Sequence, residues 1–237
     1  HKENVKEFAR FIQEIYHDWI IPYIAKQITK GTRFLSELDI DLVKKLCADD
    51  KIGGLILQWP LPPQLNADLI LTALTPVKDV DALIHRDQVL PPAAAALRDI
   101  LKVINFNLAN KNIVVIGHGF LVGRPITDWL KKEGATFRVF EIDSATNDLK
   151  KSLANADLII SGVGKAGLIK LGDIKATATV IDFGYDFVNG KLSGDLDVSN
   201  LPAERYPLHA ISYTPTPGGT GPILVAELFK NFYDLNS

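Results

Sequence analysis

The sequence predicts an α/β protein made of two α/β halves with a cleft between them, the C-terminal half built on a parallel sheet. Two observations carry this. From residue 113 onward, short apolar runs rich in β-branched residues alternate with amphipathic helical patterns. Crossovers of that kind require parallel strands with helices on the faces of the sheet. A chain of 237 residues is long enough to bury a substantial core, as one α/β domain or as two small ones.

The elements follow in order. Val5, Phe8, Ala9, Phe11, Ile12 and Ile15 recur at helical spacing and predict a helix over 3–18; 19–25 is apolar and strand-like. Residues 39–48 form a second helix with Leu42, Val43 and Leu46 inward, and the same pattern predicts a buried thiol at Cys47. A β run over 52–58 is closed by Trp59-Pro60-Leu61-Pro62-Pro63, which continues neither a helix nor a strand ladder. A short helix over 67–74 and a loop over 75–81 lead to a longer helix, 93–105. Strands at 113–117, 136–141, 157–161 and 178–182 then enclose helices at 125–133 and 146–154. After a loop-rich stretch, Ile223, Leu224, Ala226, Leu228 and Phe229 mark a terminal helix from residue 221.

Composition narrows the class of protein. The net charge of −2, without a basic block, argues against nucleic acid as a partner. No apolar run approaches the ~20 residues of a membrane span and no signal peptide opens the chain, so no membrane association is expected. The single cysteine excludes a disulfide framework and fits a reducing compartment, which predicts a cytoplasmic protein. The chain opens at His1 and holds no Met; an absence that improbable predicts residues missing from the sequence, so spacings near the N-terminus carry little weight.

The most informative stretch is 112–125, NIVVIGHGFLVGRP. Strand, glycine turn and helix in succession point free backbone N–H groups and a helix dipole at a phosphate. Gly117 allows the tight turn, Gly119 lets backbone approach a pyrophosphate, and Gly123 lets the helix sit close to the strand. Val122 stands where the GxGxxG pattern has its last small residue, with Gly123 one place late. Such a trio can also be an ordinary βα turn. Glu141 tips the reading toward a dinucleotide, because it ends the next strand about 20 residues on, where a carboxylate accepts from a ribose 2′-OH.

Four further polar stretches sit where strands or helices end: Gln58; Asp79 and Asp81; Gly162-Val163-Gly164-Lys165-Ala166-Gly167; and Thr214 to Pro222. Singly, each is explained by a turn, a cap or a rigid helix entry. Together they argue for a site, since open α/β sheets bind ligands beyond the carboxyl ends of their strands. No metal is expected there.

These residues carry a resemblance. GGLILQWPLP at 53–62, KDVD at 78–81, VVIGHGFLVGRP at 114–125, ADLIISGVGKAGLI at 156–169, VIDFG at 180–184, GKLSGDLD at 190–197 and YTPTPGGTGP at 213–222 occur in the order of one family. A set in order is far more specific than any one motif. The chain resembles the methylenetetrahydrofolate dehydrogenase/cyclohydrolase family. The resemblance implies an N-terminal α/β catalytic domain (1–90, completed by helix 221–237) and a Rossmann-like, doubly wound parallel-sheet domain (91–220). It also implies a folate held in the cleft where its carbon meets the nicotinamide. It implies hydride transfer from the methylene bridge of tetrahydrofolate to NAD or NADP, then hydrolysis of the methenyl product to the 10-formyl form, and a homodimer.

Position by position, the resemblance makes Gln58 the glutamine that tunes a catalytic lysine and Asp81 the aspartate that grips the pterin. Pro217, Gly218, Gly219 and Gly221 wall the folate pocket. Gly117, Gly119, Val122, Gly123 and Arg124 form the dinucleotide loop, and Gly162, Gly164 and Lys165 belong to the second cofactor loop. Four departures stand out. In the family's Tyr-x-x-x-Lys motif Tyr23 is followed by Gln27, leaving Lys26 or Lys30 as the nearby lysine. Without that lysine the hydrolysis is impaired while hydride transfer survives. Pro91-Pro92-Ala93-Ala94-Ala95-Ala96 replaces a Pro-Cys-Thr-Pro pattern, Gly119 replaces a serine, and Leu224 a threonine. Glu141 favours NAD, because a carboxylate repels a 2′-phosphate at close range; Arg124 or Arg138 is the available counter-cation.

Overall fold

The computed structural model describes residues 40–84, 88–142, 146–199 and 212–237. The predicted helix 3–18, the strand 19–25, and Tyr23, Lys26, Gln27 and Lys30 lie outside the described residues. The rest divides into two compact units. One takes described residues up to Ala95 together with Leu224–Ser237; the other is Ala96–Ile223.

In the first unit, α1 (Ile40–Ala48) and α2 (Ala67–Ala73) pack on each other. The Asn66 side chain caps α2 by accepting from the Leu69 N–H at 3.1 Å. Val43, Ile70, Ala73 and Leu74 are buried with Leu57. Cys47 is half-buried against this cluster rather than buried.

The predicted strand 52–58 is a correction. Among the described residues it makes one parallel bridge, Leu55 to Asp79, and no ladder. An apolar run becomes a strand only where a partner offers matching backbone groups, and among the described residues the backbone bonds between this run and the 78–80 stretch are Leu55 N–H to Lys78 O (2.7 Å) and Val80 N–H to Leu55 O (3.4 Å). The expected loop 75–81 contains a 3₁₀ turn, Pro76–Lys78.

Helix α3 (Pro92–Val103) begins with Pro at its first position, where the missing N–H costs nothing. Ala93 to Leu97 are all buried, so the alanine run is close-packed core. Next come β1 (Ile113–Ile116), α4 (Gly123–Lys132), β2 (Phe137–Phe140), α5 (Thr146–Asn155), β3 (Leu158–Ser161), β4 (Ile169–Lys170) and β5 (Thr179–Asp182). The loop-rich stretch holds a hairpin of β6 (Asp186–Val188) and β7 (Lys191–Ser193), followed by β8 (Leu196–Asp197) and β9 (Ser212–Tyr213). Helix α6 (Thr220–Asn236) begins one residue before the predicted start at 221 and runs beyond the last residue of the apolar pattern, Phe229.

The main sheet has the order β2-β1-β3-β5-β9 and every pairing in it is parallel. Residues 113–116, 158–161 and 179–182 are buried throughout, as strands with both faces covered must be. Val114, Ile116, Ile159 and Val180 pack on one face with Leu153 of α5, while α4 packs on β1.

Candidate functional site

Register sets the site. Ile116 pairs with Phe140 on one side and Ser161 on the other, and Ser161 pairs with Asp182. Four strands therefore end level, and Glu141, Gly117, Gly162 and Phe183 follow in a row. The chain winds outward in opposite directions from β1 and β3, so the row straddles the point where strand order reverses. In an open parallel sheet that crevice receives the ligand.

The first loop explains its glycines. Gly117 has φ +85°, and its N–H donates to the Phe140 carbonyl at 2.8 Å. A Cβ on Gly123 would lie 2.1 Å from the Gly117 carbonyl oxygen, so α4 starts hard against the turn. Gly119 faces open space. Val122, the irregular member of the pattern, covers Gly162: a Cβ there would lie 2.6 Å from a Val122 methyl. Bulk in the first loop is thus matched by a glycine in the second. The Thr127 hydroxyl donates to the Arg124 carbonyl (2.9 Å) and is hydrogen-bonded to His118 Nε2 (3.0 Å). Arg124 is exposed, with its Nε donating to the His118 carbonyl at 3.3 Å.

Glu141 is exposed, directly after β2 and beside the Gly117 turn. Arg138, one of the two expected counter-cations, is otherwise engaged: it donates to Ser152 Oγ at 2.8 Å and lies over the Phe140 ring at 5.1 Å. These features fit a dinucleotide: a glycine turn at the switch point, a ten-residue helix with its positive end toward the turn, and a carboxylate at the next strand end.

The second loop, 162–167, is held from below. Asp195 has no exposed surface and accepts from Ser161 Oγ (2.6 Å), Val163 N–H (2.9 Å) and Lys165 N–H (2.7 Å). Gly164 has φ +72°, and the Lys165 side chain is exposed. Asp182, at the end of β5, accepts from Gly184 N–H and Leu196 N–H, both at 2.9 Å. Burial, seconded by the Asp195 charge, pushes its carboxyl up to about 6, although these N–H bonds pull the other way. Sequence reasoning assigned no role to Asp182 or Asp195. Their one signal in the sequence is an aspartate beside apolar residues, one in VIDFG and two in GDLD.

The stretch 214–221 leaves the end of β9. Thr214 accepts from the Asp182 N–H at 2.8 Å, and Thr220 donates to the Asp182 carbonyl at 2.9 Å. Pro217 follows a cis peptide bond, Gly218 has φ +92°, and a Cβ on Gly219 would lie 2.3 Å from the Pro215 carbonyl. Gly221 lies in the first turn of α6 and has open space around it.

In the first unit the Leu55–Asp79 bridge draws the Gln58 and Asp81 stretches side by side. Gln58 is exposed and its amide donates to the Trp59 carbonyl at 3.2 Å. Burial, then the neighbouring Asp79 charge, push the Asp81 carboxyl up to about 6. Asp79 is buried and accepts from the Ile84 N–H at 2.8 Å. Lys78 Nζ donates to the Ile52 carbonyl, and Asn231 of α6 donates to the Val80 and Leu90 carbonyls (3.0 and 2.9 Å). Lys26 lies outside the described residues. Among the described residues no group of three His, Cys, Asp or Glu could hold a metal, and no helix is long and apolar enough to cross a membrane.

The profile of the tetrahydrofolate dehydrogenase/cyclohydrolase NAD(P)-binding domain matches residues 91–237. The bifunctional protein FolD of Lactobacillus acidophilus is 33% identical over 238 residues, 97% of this chain and 77% of that protein. Among solved structures, the methylenetetrahydrofolate dehydrogenase/cyclohydrolase FolD of Campylobacter jejuni is 32% identical with a TM-score of 0.73, over 83% of this chain and 72% of that one. FolD of Trypanosoma brucei, complexed with NADP cofactor and an inhibitor, is 27% identical with a TM-score of 0.73, over 84% and 73% of the two chains.

Proposed function

The chain belongs to the tetrahydrofolate dehydrogenase/cyclohydrolase family, and from that premise we propose that it oxidises 5,10-methylenetetrahydrofolate to the methenyl form with NAD(P) as hydride acceptor, then hydrolyses that product to 10-formyltetrahydrofolate. The observation that carries the reading is the level row of strand ends, which puts Glu141, Gly117 and Gly162 side by side at the switch point. The glycine loops, with Val122, Arg124, Gly164 and Lys165, hold the dinucleotide, and Glu141 accepts from its ribose. A carboxylate there supports NAD over NADP, and with Arg138 engaged by Ser152, Arg124 is the other counter-cation a 2′-phosphate would call on.

Bound NAD(P) supplies the electrophilic carbon that takes the hydride. The chain contributes orientation, because holding reactants about 3–3.5 Å apart removes most of an entropic barrier. Asp81 accepts from the pterin's N–H groups, and Pro217, Gly218, Gly219 and Gly221 wall the folate. Grip by Asp81 needs its ionised form, so folate affinity rises as pH climbs through about 6. For the hydrolytic step, Gln58 orients Lys26, whose amine moves the proton of the attacking water. These roles divide between a catalytic domain, 1–90 with 221–237, and a dinucleotide domain, 91–220, a division that the two compact units support.

A homodimer and a cytoplasmic location belong to the same proposal. Tyr185, Phe187 and Leu192, on one face of the β6–β7 hairpin, expose apolar surface that such an interface would cover. The free thiol of Cys47 suits a reducing compartment.

Methenyl formation, followed by absorbance with each dinucleotide, tests the reading. Turnover with NAD at least matching NADP, and its loss by about a hundredfold in Asp81→Ala, are expected. Folate turnover intact in Asp81→Ala overturns the pterin assignment, and better efficiency with NADP overturns the cofactor preference.

A further inference from the structure

We propose that Asp195 is a positioning residue of the dinucleotide site, fixing the shape of the loop after β3 on which the cofactor rests. The inference rests on the reading of Gly162, Gly164 and Lys165 as a dinucleotide loop.

One buried carboxylate takes three donors from the strand end and the loop. Ser161 Oγ and the Val163 N–H share one oxygen, and the Lys165 N–H takes the other. The two anchored N–H groups bracket Gly164, which has φ +72°. Gly162 N–H is spent on the Ile116 carbonyl of β1 at 3.0 Å. The carboxylate thus supplies the acceptors for the alternate amides beyond it. Bonds from N–H and O–H groups to a buried carboxylate are shorter and stronger than neutral ones, so the loop is held stiffly.

Asp195 is itself immobilised. Its carbonyl accepts from the Ile169 N–H at 2.8 Å, and the Gly194 carbonyl accepts from the Gly167 N–H at 2.9 Å. Asp182 takes the N–H of the next residue, Leu196. A Cβ on Gly184 would lie 2.1–2.2 Å from the Asp195 carboxylate, so that carboxylate lies flat on the backbone just beyond β5. Asp195 ties the end of β3 and the chain beyond β5 to one loop. A residue acting only as core filling would not need donors drawn from a functional loop 30–34 positions away.

The test uses the full chain. Asparagine keeps the volume but offers one acceptor oxygen, and its NH₂ meets a donor. In Asp195→Asn, the Kd of reduced dinucleotide, read by its fluorescence in the binary complex, is expected to rise tenfold or more while KM for folate stays within twofold. Ser161→Ala removes one bond of the three and is expected to shift the same Kd two- to fivefold. A proportional rise in both constants, or an unchanged Kd in a folded Asp195→Asn protein, overturns the proposal. If Asp195→Asn does not fold, an unchanged Kd in Ser161→Ala does so. Gly162→Val separates the two levels, since it forces a side chain against Val122 in the loop itself. If that variant also leaves the Kd unchanged, the loop does not bind dinucleotide and both readings fall. If it alone weakens binding, only the role of Asp195 falls.

Discussion

Replacing Gly123 with alanine tests how closely α4 must approach the turn after β1. The new Cβ would lie 2.1 Å from the Gly117 carbonyl oxygen, 2.6 Å from the His118 Cα and 2.9 Å from the Gly117 carbonyl carbon. All three are backbone atoms, so no side chain can swing away, and the helix start has to retreat by more than an ångström. Overpacking of this kind costs roughly 1–3 kcal/mol. Alanine's better helix propensity returns up to about 1 kcal/mol of that. A net loss of about 1–2 kcal/mol lowers Tm by roughly 2–8 °C in a chain of this size. The functional effect is larger, because a misplacement of about 1 Å in a positioning element can cost on the order of a hundredfold. Thermal unfolding and dinucleotide titration measure the two effects separately. Gly119→Ala is the control for stability: its Cβ enters open space, so Tm should hold within about a degree. If Gly123→Ala keeps both wild-type Tm and wild-type dinucleotide affinity, the close approach is not what the glycine is for.

Two further outcomes follow from buried polar groups. Asn231→Ala strips the Val80 and Leu90 carbonyls of their side-chain donor, one in a buried bond and one in a part-buried bond. The variant should lose about 2–3 kcal/mol; because Val80 precedes Asp81, KM for folate should rise while dinucleotide affinity does not, and a Tm unchanged within 2 °C contradicts this. Asp182, with its carboxyl near 6 when folded against 3.8 unfolded, binds its proton more tightly in the native state. Its contribution is therefore full below about pH 4 and lost as pH rises through 6, a swing of roughly 3 kcal/mol. Asp182→Asn should flatten that part of the stability profile, measured by urea unfolding between pH 4 and 7; an unchanged slope refutes the assignment.

The parts of the fold that could be read from sequence were those whose cause is local. Strands 113–116, 158–161 and 179–182 are buried on both faces and have to be continuous apolar runs, so β1, β3 and β5 stood out. Gly117 and Gly123 were legible because a turn with φ +85° and a helix start against a carbonyl exclude a side chain. What escaped was set by partners distant in sequence. β9 is two residues, Ser212 and Tyr213, and becomes a strand only through its pairing with β5. Residues 52–58 carry a strand's pattern yet form a single bridge among the described residues. Arg138 looked like a free cation, but Ser152, fourteen positions on, claims it.

The same distinction explains why the glycines of the site were visible and its buried acids were not. A glycine announces a steric limit at its own position. An aspartate such as Asp195 announces nothing until the fold brings Ser161, Val163 and Lys165 around it. Placing a carboxylate in the interior costs several kcal/mol unless donors meet it. The Asp195 charge lies close enough to raise the pKa of Asp182, and both side chains are buried, so neither is a cheap way to fill a core. Both take backbone donors at the carboxyl edge of the sheet, among the loops that follow β3 and β5. An apolar residue of similar size would pack there at lower cost but could not accept from the Val163 and Lys165 amides. Rigidity of the second loop, rather than stability of the unit, is what that expense accounts for.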